Sequence, residues 1–324
     1  MPPPGERVRL GRSDVTVTRL GLGAAPLGGL YEHVPDRQAR DVVTNALALG
    51  VHYIDTAPFY GHGVAESRVG DALSSSWASQ VTVSTKVGRR LVPADDEIPG
   101  SDIFMDRTAT RIVWDFSADG VRASLQESLD RLDLEHVDIV YIHDPENHET
   151  PALEEALPAL CAMRDQGLIG AVGVGTNFSD LAVRFAETGL IDVVLLAGRW
   201  TLLDRTGQAC LDRCLELDVP VVLGGIFNSG ILADPRPGTH FEYEVAQPQY
   251  LNRAMQMALR AQESGLPLST AALQHAFRHP AVTSVLVGAR SATEVTQAVS
   301  AFAAEVPEQL WRDLDDLALD KPHG

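Results

Sequence analysis

Cysteine is scarce in this chain. Three residues in 324, Cys161, Cys210 and Cys214, exclude a disulfide framework. The last two stand one helical turn apart in ACLDRCLEL without the further ligands that zinc requires, so they read as reduced thiols beside a core. Basic residues are in short supply as well: 26 Lys and Arg face 44 Asp and Glu, a net charge of −18, and no Lys/Arg run offers a track for phosphates. A nucleic-acid partner is thereby disfavoured. Uninterrupted apolar stretches of about 18 residues are missing, which leaves no candidate membrane span, and the opening MPPPGERVRL lacks the apolar centre of a secretory signal. The expectation is a cytoplasmic protein, a monomer or small homo-oligomer, working on a small molecule.

What the sequence does contain is a strict alternation. Eight short apolar runs read as buried parallel strands: 18–23, 52–55, 81–86, 138–143, 171–176, 193–197, 221–225 and 284–288. Amphipathic stretches such as DRQARDVVTNALALG and SADGVRASLQESLDRL fill the gaps between them, the second opened by Ser117 as a helix cap. Eight strand–helix repeats predict an α/β fold, a single (β/α)8 barrel over residues 1–324, because right-handed crossovers between parallel neighbours roll a sheet closed. A doubly wound sheet is the competing architecture. Its dinucleotide fingerprint is only imitated by Gly21, Gly23 and Gly28, which precede the proline-containing loop PLGGLYEHVPD instead of opening a helix. Two connections, 87–116 and 226–248, exceed ordinary loops and follow strand C-termini, so they are expected to wall an active site on that face. The segment VPEQLWRDLDDLALD predicts an extra C-terminal helix packed outside the barrel.

Strand ends supply the chemistry. The second strand ends in Asp55 with Tyr60 five residues on, the third in Lys86, the fourth in His143. Singly, each has a plain structural reading as a cap, a loop aromatic, a solvated strand end or a core imidazole. Jointly they make a proton-transfer site. A tyrosine hydroxyl titrates near pH 10, and an adjacent ammonium held by a carboxylate is expected to lower it by roughly 1–3 units. Lys86 would be that ammonium, Asp55 its partner, and His143 would orient the substrate oxygen. Such a site has no means of accepting two electrons, so a redox reaction needs a hydride-carrying cofactor. No metal is expected: His275 and His279 in HAFRH lack the glutamate of HExxH and read as packing residues.

The stretches GVHYIDTAPFYGHGVAESRVGDAL, VSTKVGR, DIVYIHDPE and GLIGAVGVGTNFSD, in that order, resemble the aldo-keto reductase family across essentially the whole chain. The resemblance implies a barrel that binds NAD(P)(H) at its C-terminal rim without a separate cofactor domain, and a catalytic tetrad of Asp55, Tyr60, Lys86 and His143. It also implies that Thr176 and Asn177 grip the nicotinamide carboxamide, and that the backbone of Phe227, Asn228, Ser229 and Gly230 approaches the pyrophosphate. The adenosine end would lie along Gly288, Arg290, Glu294 and Gln297. Two departures stand out: the family's carboxamide-holding Gln aligns with Ala197, and its nicotinamide-stacking aromatic aligns with Gly224, so that Trp200 or Phe227 would have to substitute.

Glu294 stands where many NADP-dependent relatives carry an Arg, and a carboxylate would repel a 2′-phosphate while accepting hydrogen bonds from a free 2′-hydroxyl. NAD is therefore the expected cofactor, with NADP the alternative, since Arg290 could reach a 2′-phosphate. Less general segments, among them LGLGAAPLGGLY, VLLAGRWTLLDR and LGGIFNSGIL, are similar to the family's sugar dehydrogenase branch, the L-fucose or D-threo-aldose 1-dehydrogenases and the related pyridoxal 4-dehydrogenases. That branch implies oxidation of an anomeric hydroxyl or cyclic hemiacetal to a lactone, with Phe59, Trp114, Asp144 and Trp200 as candidate walls for the ring. Two alternatives stay open: a broad NADPH-dependent carbonyl reductase, and a cofactor-binding redox-sensor subunit.

Overall fold

The computed structural model describes residues 3–73, 77, 80–94 and 103–318. Eight parallel strands form a closed ring: β1 (Leu20–Gly23), β2 (Tyr53–Asp55), β3 (Thr82–Val87), β4 (Val137–His143), β5 (Ile169–Thr176), β6 (Val193–Ala197), β7 (Val221–Gly224) and β8 (Val282–Gly288). Each strand pairs with its neighbour in sequence, and β8 closes on β1 through Val285↔Leu20 to Gly288↔Gly23. Unbroken sequential pairing excludes the doubly wound alternative, whose strand order reverses at its centre.

Two apolar layers follow from the alternation of side chains along each strand. Outward residues such as Ile54, Val83, Val140, Val172 and Val194 pack beneath the helices. Inward residues, led by Tyr53, Tyr141, Leu195, Val222 and Leu286, fill the barrel. The two tyrosines need room: a side chain on Gly21 would lie 2.8 Å from the Tyr53 ring, and one on Gly173 would lie 2.7 Å from that of Tyr141. Their hydroxyls meet at 3.1 Å, and the Tyr53 hydroxyl lies 3.2 Å from Ser84 Oγ, which places a polar floor below the strand ends.

An antiparallel hairpin, Arg7–Arg9 with Thr16–Thr18, covers the opposite end of the barrel and contributes Leu10 and Val17 to the inner layer. Its strands are three residues each, RVR and TVT, and no sequence pattern announced them. The long connection after β3 forms a second hairpin, Arg89–Pro93 with Thr110–Trp114. The connection after β7 carries a small hairpin, His240–Phe241 with Glu244–Val245. The C-terminal helix Glu308–Leu317 buries Leu310 and Leu314 against the helix Pro248–Glu263, outside the barrel, and Asp315 ties it down by accepting from Arg205 and Arg278, both at 2.7 Å. Among the described residues no helix is long and apolar enough to cross a membrane, and no cluster of His, Cys, Asp and Glu could hold a metal ion.

Candidate active site

Asp55, Lys86 and His143 all lie at the C-terminal ends of their strands and are 2%, 2% and 5% exposed. Tyr60 reaches the same point from the turn after β2, where a close approach fixes the loop: a side chain on Gly28 would lie 2.6 Å from the Tyr60 carbonyl carbon and the Gly61 nitrogen. Lys86 Nζ donates to Asp55 Oδ2 at 2.7 Å, to the Thr56 carbonyl at 2.9 Å and to Tyr60 Oη at 2.9 Å. All three of its protons are thereby used, which makes a buried ammonium tolerable. Asp55 is held in turn by Ser84, whose hydroxyl donates to Oδ1 at 2.7 Å. Ser84, inward-facing and two residues before Lys86, was not singled out in the sequence; period-two spacing along β3 was the available signal.

His143 stands edge-on to Tyr60, with ring centroids 6.0 Å apart. Burial first, then the cations Arg89 and Lys86, hold its pKa well below that of a free imidazole, so it is neutral at neutral pH. Tyr60 departs from expectation. Burial, with Asp55 and Asp144 adding to it and Arg89 opposing, keeps the hydroxyl well above its ordinary pKa, so the Lys86 contact does not bring Tyr60 into the neutral range and the group is a phenol. The loss of water around a phenolate outweighs one shared ammonium that Asp55 already neutralises.

The four residues open onto a trench of about 1170 Å³ along the C-terminal rim. Its walls include every residue expected at the cofactor: Thr176, Asn177, the run Phe227 to Gly230, Gly288, Arg290, Glu294 and Gln297. Asn228, Ser229 and Gly230 adopt successive positive φ angles of 44°, 60° and 105°. The Asn228 amide is spent internally, accepting from Thr201 Oγ1 at 2.6 Å and donating to the Gly198 carbonyl at 3.2 Å, which braces this left-handed turn. Glu294 accepts from the Arg290 backbone N–H at 2.7 Å while its own N–H donates to Ser291 Oγ at 3.2 Å, so it serves as a helix-capping residue as well as a trench wall. A side chain at Gly224 would make only ordinary contacts, the nearest at 3.6 Å, so the floor there is open. Such a trench, polar at both ends and lined by a braced turn, fits an extended dinucleotide.

Two of the expected substrate walls do not line the trench. Trp200 is 7% exposed and stacks on His275 with centroids 5.1 Å apart, away from the trench, so it replaces neither a sugar-binding wall nor the missing nicotinamide aromatic. Trp114 does not line the trench: hairpin register sets it beside Arg89, whose guanidinium covers its ring at 4.5 Å, and the residue is otherwise exposed. Phe59 and Asp144 do line the cavity, and Phe227 lines it where the stacking aromatic is absent. Burial pushes the Asp144 carboxyl up, opposed by Arg89 and Lys86.

Residues missed in the sequence gather at the same end. Arg89 donates to Asp144, and Glu146 stands nearby on the wall. Further along, Tyr31 stacks on His240 at 4.3 Å and 8°, and Arg199 pairs with Asp204 at 2.8 Å and with Glu242. These contacts clasp the post-β7 loop to the rest of the rim. Glu146, Tyr31 and Arg199 lie in loops whose course no periodicity fixes; for Arg89, at the start of a hairpin strand, the doubled arginine after the Lys86 strand was the visible hint.

Residues 19–319 match the model of the aldo/keto reductase family. The chain is 36% identical to a D-threo-aldose 1-dehydrogenase of a Pseudomonas species over 315 residues, covering 95% of this chain and 96% of the relative. It is also 36% identical to pyridoxal 4-dehydrogenase of Microbacterium luteolum, covering 95% and 96%, and 28% identical to L-galactose dehydrogenase of Arabidopsis thaliana, covering 96% and 90%. Among solved structures, an aldo-keto reductase from Bacillus halodurans superposes with a TM-score of 0.78 at 24% identity, over 97% of this chain and 96% of that one, a likeness of fold. With its closed barrel and rim constellation matched over nearly all of its length, the chain belongs to the aldo/keto reductase family and is an oxidoreductase that works with a nicotinamide cofactor.

Proposed function

We propose that this enzyme oxidises the anomeric hydroxyl of a free aldose of the L-fucose, L-galactose or D-arabinose type, or a similar cyclic hemiacetal such as that of pyridoxal, to a lactone, with NAD preferred over NADP. One observation carries the reading: the Tyr60–Lys86 pair opens onto a cavity end walled by Arg89, Asp144 and Glu146, a polar surface suited to a hydroxylated substrate. The names of the two 36% identical relatives agree with it, since one acts on an aldose at position 1 and the other on pyridoxal. A cytoplasmic setting and a single barrel domain are part of the same reading.

Thr176 and Asn177 would hold the nicotinamide end, the turn at Asn228 to Gly230 the pyrophosphate, and Arg290, Glu294 and Gln297 the adenosine end. When bound, the cofactor takes or gives a hydride, and its oxidised ring brings a positive charge that favours the Tyr60 phenolate. Tyr60 Oη exchanges a proton with the substrate oxygen. Lys86, fixed by Asp55 and the Thr56 carbonyl, stabilises negative charge on that phenol as the proton moves. His143, neutral because it is buried beside Arg89 and Lys86, offers a hydrogen bond to the substrate oxygen without competing for the proton. The preference for NAD rests on Glu294, whose carboxylate would stand against a 2′-phosphate.

A second reading, a carbonyl reductase run with reduced cofactor, is favoured by the protonated state of Tyr60, which suits a general acid. Product analysis separates the two. Incubation of C1-labelled L-fucose with NAD and carbon NMR of the product should show a lactone before any open-chain acid; an unchanged sugar signal for this and the other candidate substrates would remove the dehydrogenase reading.

A further inference from the structure

We propose that Arg89 and Asp144 form a clamp for the hydroxyl group next to the reacting carbon, and that this clamp confines the site to neutral hydroxylated substrates. The proposal rests on the reading above for the identity of the physiological substrate, though not for its own test.

The backbone delivers Arg89 to the cavity by a turn that only glycine permits: Gly88 has φ +101°, and a side chain there would lie 2.1 Å from the Phe116 ring. The guanidinium then lies between two rings, 4.4 Å from the Phe59 centroid and 4.5 Å from that of Trp114. Its remaining direction is fixed by Nη2 donating to Asp144, and the side chain is 11% exposed. A planar donor held this way has lost its rotational freedom before any substrate arrives, which lowers the cost of using it. Asp144 Oδ2 lies 3.5 Å from His143 Nε2, so the pair adjoins the proton-transfer residues. Among the described residues, Arg89 Nε and Glu146 Oε2 are buried without a hydrogen-bond partner. A secondary hydroxyl is a donor and an acceptor at once, and a fixed guanidinium beside a carboxylate offers the complement of both. A substrate without that hydroxyl leaves the desolvated pair unmet, the situation in which discrimination is largest.

Charge supplies the second half of the inference. Lys86 is answered by Asp55 and Arg89 by Asp144, and Glu146 adds a further carboxylate that senses both Asp144 and Arg89. A phosphate or carboxylate on the substrate would meet more negative than positive groups there and, among the described residues, find both neighbouring cations, Lys86 and Arg89, already paired.

The test uses NADH-driven reduction of glyceraldehyde, propanal and glyceraldehyde 3-phosphate, with kcat and KM measured for each. In the wild type, kcat/KM for glyceraldehyde should exceed that for propanal by at least about 10-fold, carried by KM. Replacing both members, Arg89→Met with Asp144→Asn, avoids a lone buried charge and should bring the ratio to within about threefold of unity. Arg89→Lys keeps the charge and loses the fork, and should lower the ratio by itself. Glyceraldehyde should also exceed its phosphate by at least about 10-fold, a gap that Asp144→Asn narrows by releasing the Arg89 charge. Thermal midpoint and NADH fluorescence report whether each variant is folded and loaded. An undiminished glyceraldehyde ratio in either Arg89 variant, or a wild type that takes the phosphate as readily as the neutral aldehyde, overturns the clamp. Collapse of the ratio in an enzyme that oxidises no sugar would leave the clamp standing and remove the aldose reading, whereas sugar oxidation with an undiminished ratio would do the reverse.

Discussion

The ammonium of Lys86 lies 2.9 Å from the hydroxyl of Tyr60, with Lys86 buried and Tyr60 half-buried at the edge of the trench. Lys86 is held from β3, Tyr60 from the turn after β2, and their meeting depends on the polar floor of Ser84 and Asp55 beneath them. Chemistry at this pair is the part of the site most open to direct test.

Tyr60→Phe removes the proposed proton carrier and little volume. We expect kcat to fall by about 10²–10⁴, the usual worth of a positioned general acid or base, while NADH affinity measured by fluorescence titration stays within about twofold. Activity near the wild-type level would take Tyr60 out of the mechanism.

Tyr60 is a phenol whose pKa is raised by burial and by Asp55 and Asp144. Oxidation needs the deprotonated form and reduction the protonated one. Initial rates in the oxidative direction should therefore climb as pH rises through neutrality, and those in the reductive direction should decline on the alkaline side. A reductive rate that increases with pH would contradict a Tyr60 general acid.

Glu294→Arg should raise kcat/KM with NADP by about 10-fold, because an arginine there can pair with a 2′-phosphate that the carboxylate repels. The same change removes the acceptor for the Arg290 N–H at the start of the helix Ala292–Ala303, so a stability loss of about 0.5–1 kcal/mol should accompany it in thermal unfolding. An unaltered NADP to NAD ratio would show that this residue does not read the ribose.

His275 lies buried against Trp200 with both ring nitrogens unpartnered among the described residues, and burial together with Arg205 and Arg278 depresses its pKa. The folded-state pKa is lowered, so below about pH 6.5 the unfolded chain binds a proton that the native state refuses. Stability is fully present above that pH and is lost as pH falls, at up to about 1.4 kcal/mol per pH unit for this group. His275→Phe should stabilise the fold by about 1–2 kcal/mol at pH 7 and flatten the acid side of the curve, leaving the contribution of His143. A variant that is less stable and equally acid-sensitive would disprove this reading of the cluster.

The barrel, and the gathering of three of the four candidate residues at one rim, were legible because both follow from periodicity. Strand runs of one period leave Asp55, Lys86 and His143 at one rim, whatever the intervening loops do. Loop side chains were not legible in that way. Trp200 and Trp114 carried the right chemistry for sugar walls, but a stack on His275 withdrew one and hairpin register placed the other beside Arg89. Arg89 itself became visible only once the hairpin set its neighbour. The Tyr60 expectation failed for a different reason: proximity of an ammonium was readable from strand ends, whereas the desolvation that opposes it depends on how completely the rim closes.

The most direct measurement of the proposed activity is the initial rate of reduced-nicotinamide absorbance with L-fucose, L-galactose, D-arabinose and pyridoxal, each with NAD and with NADP. An aldose or hemiacetal dehydrogenase gives an absorbance gain with at least one of them, faster with NAD than with NADP. No gain with any of the four, in an enzyme that reduces simple aldehydes with NADPH, would contradict it.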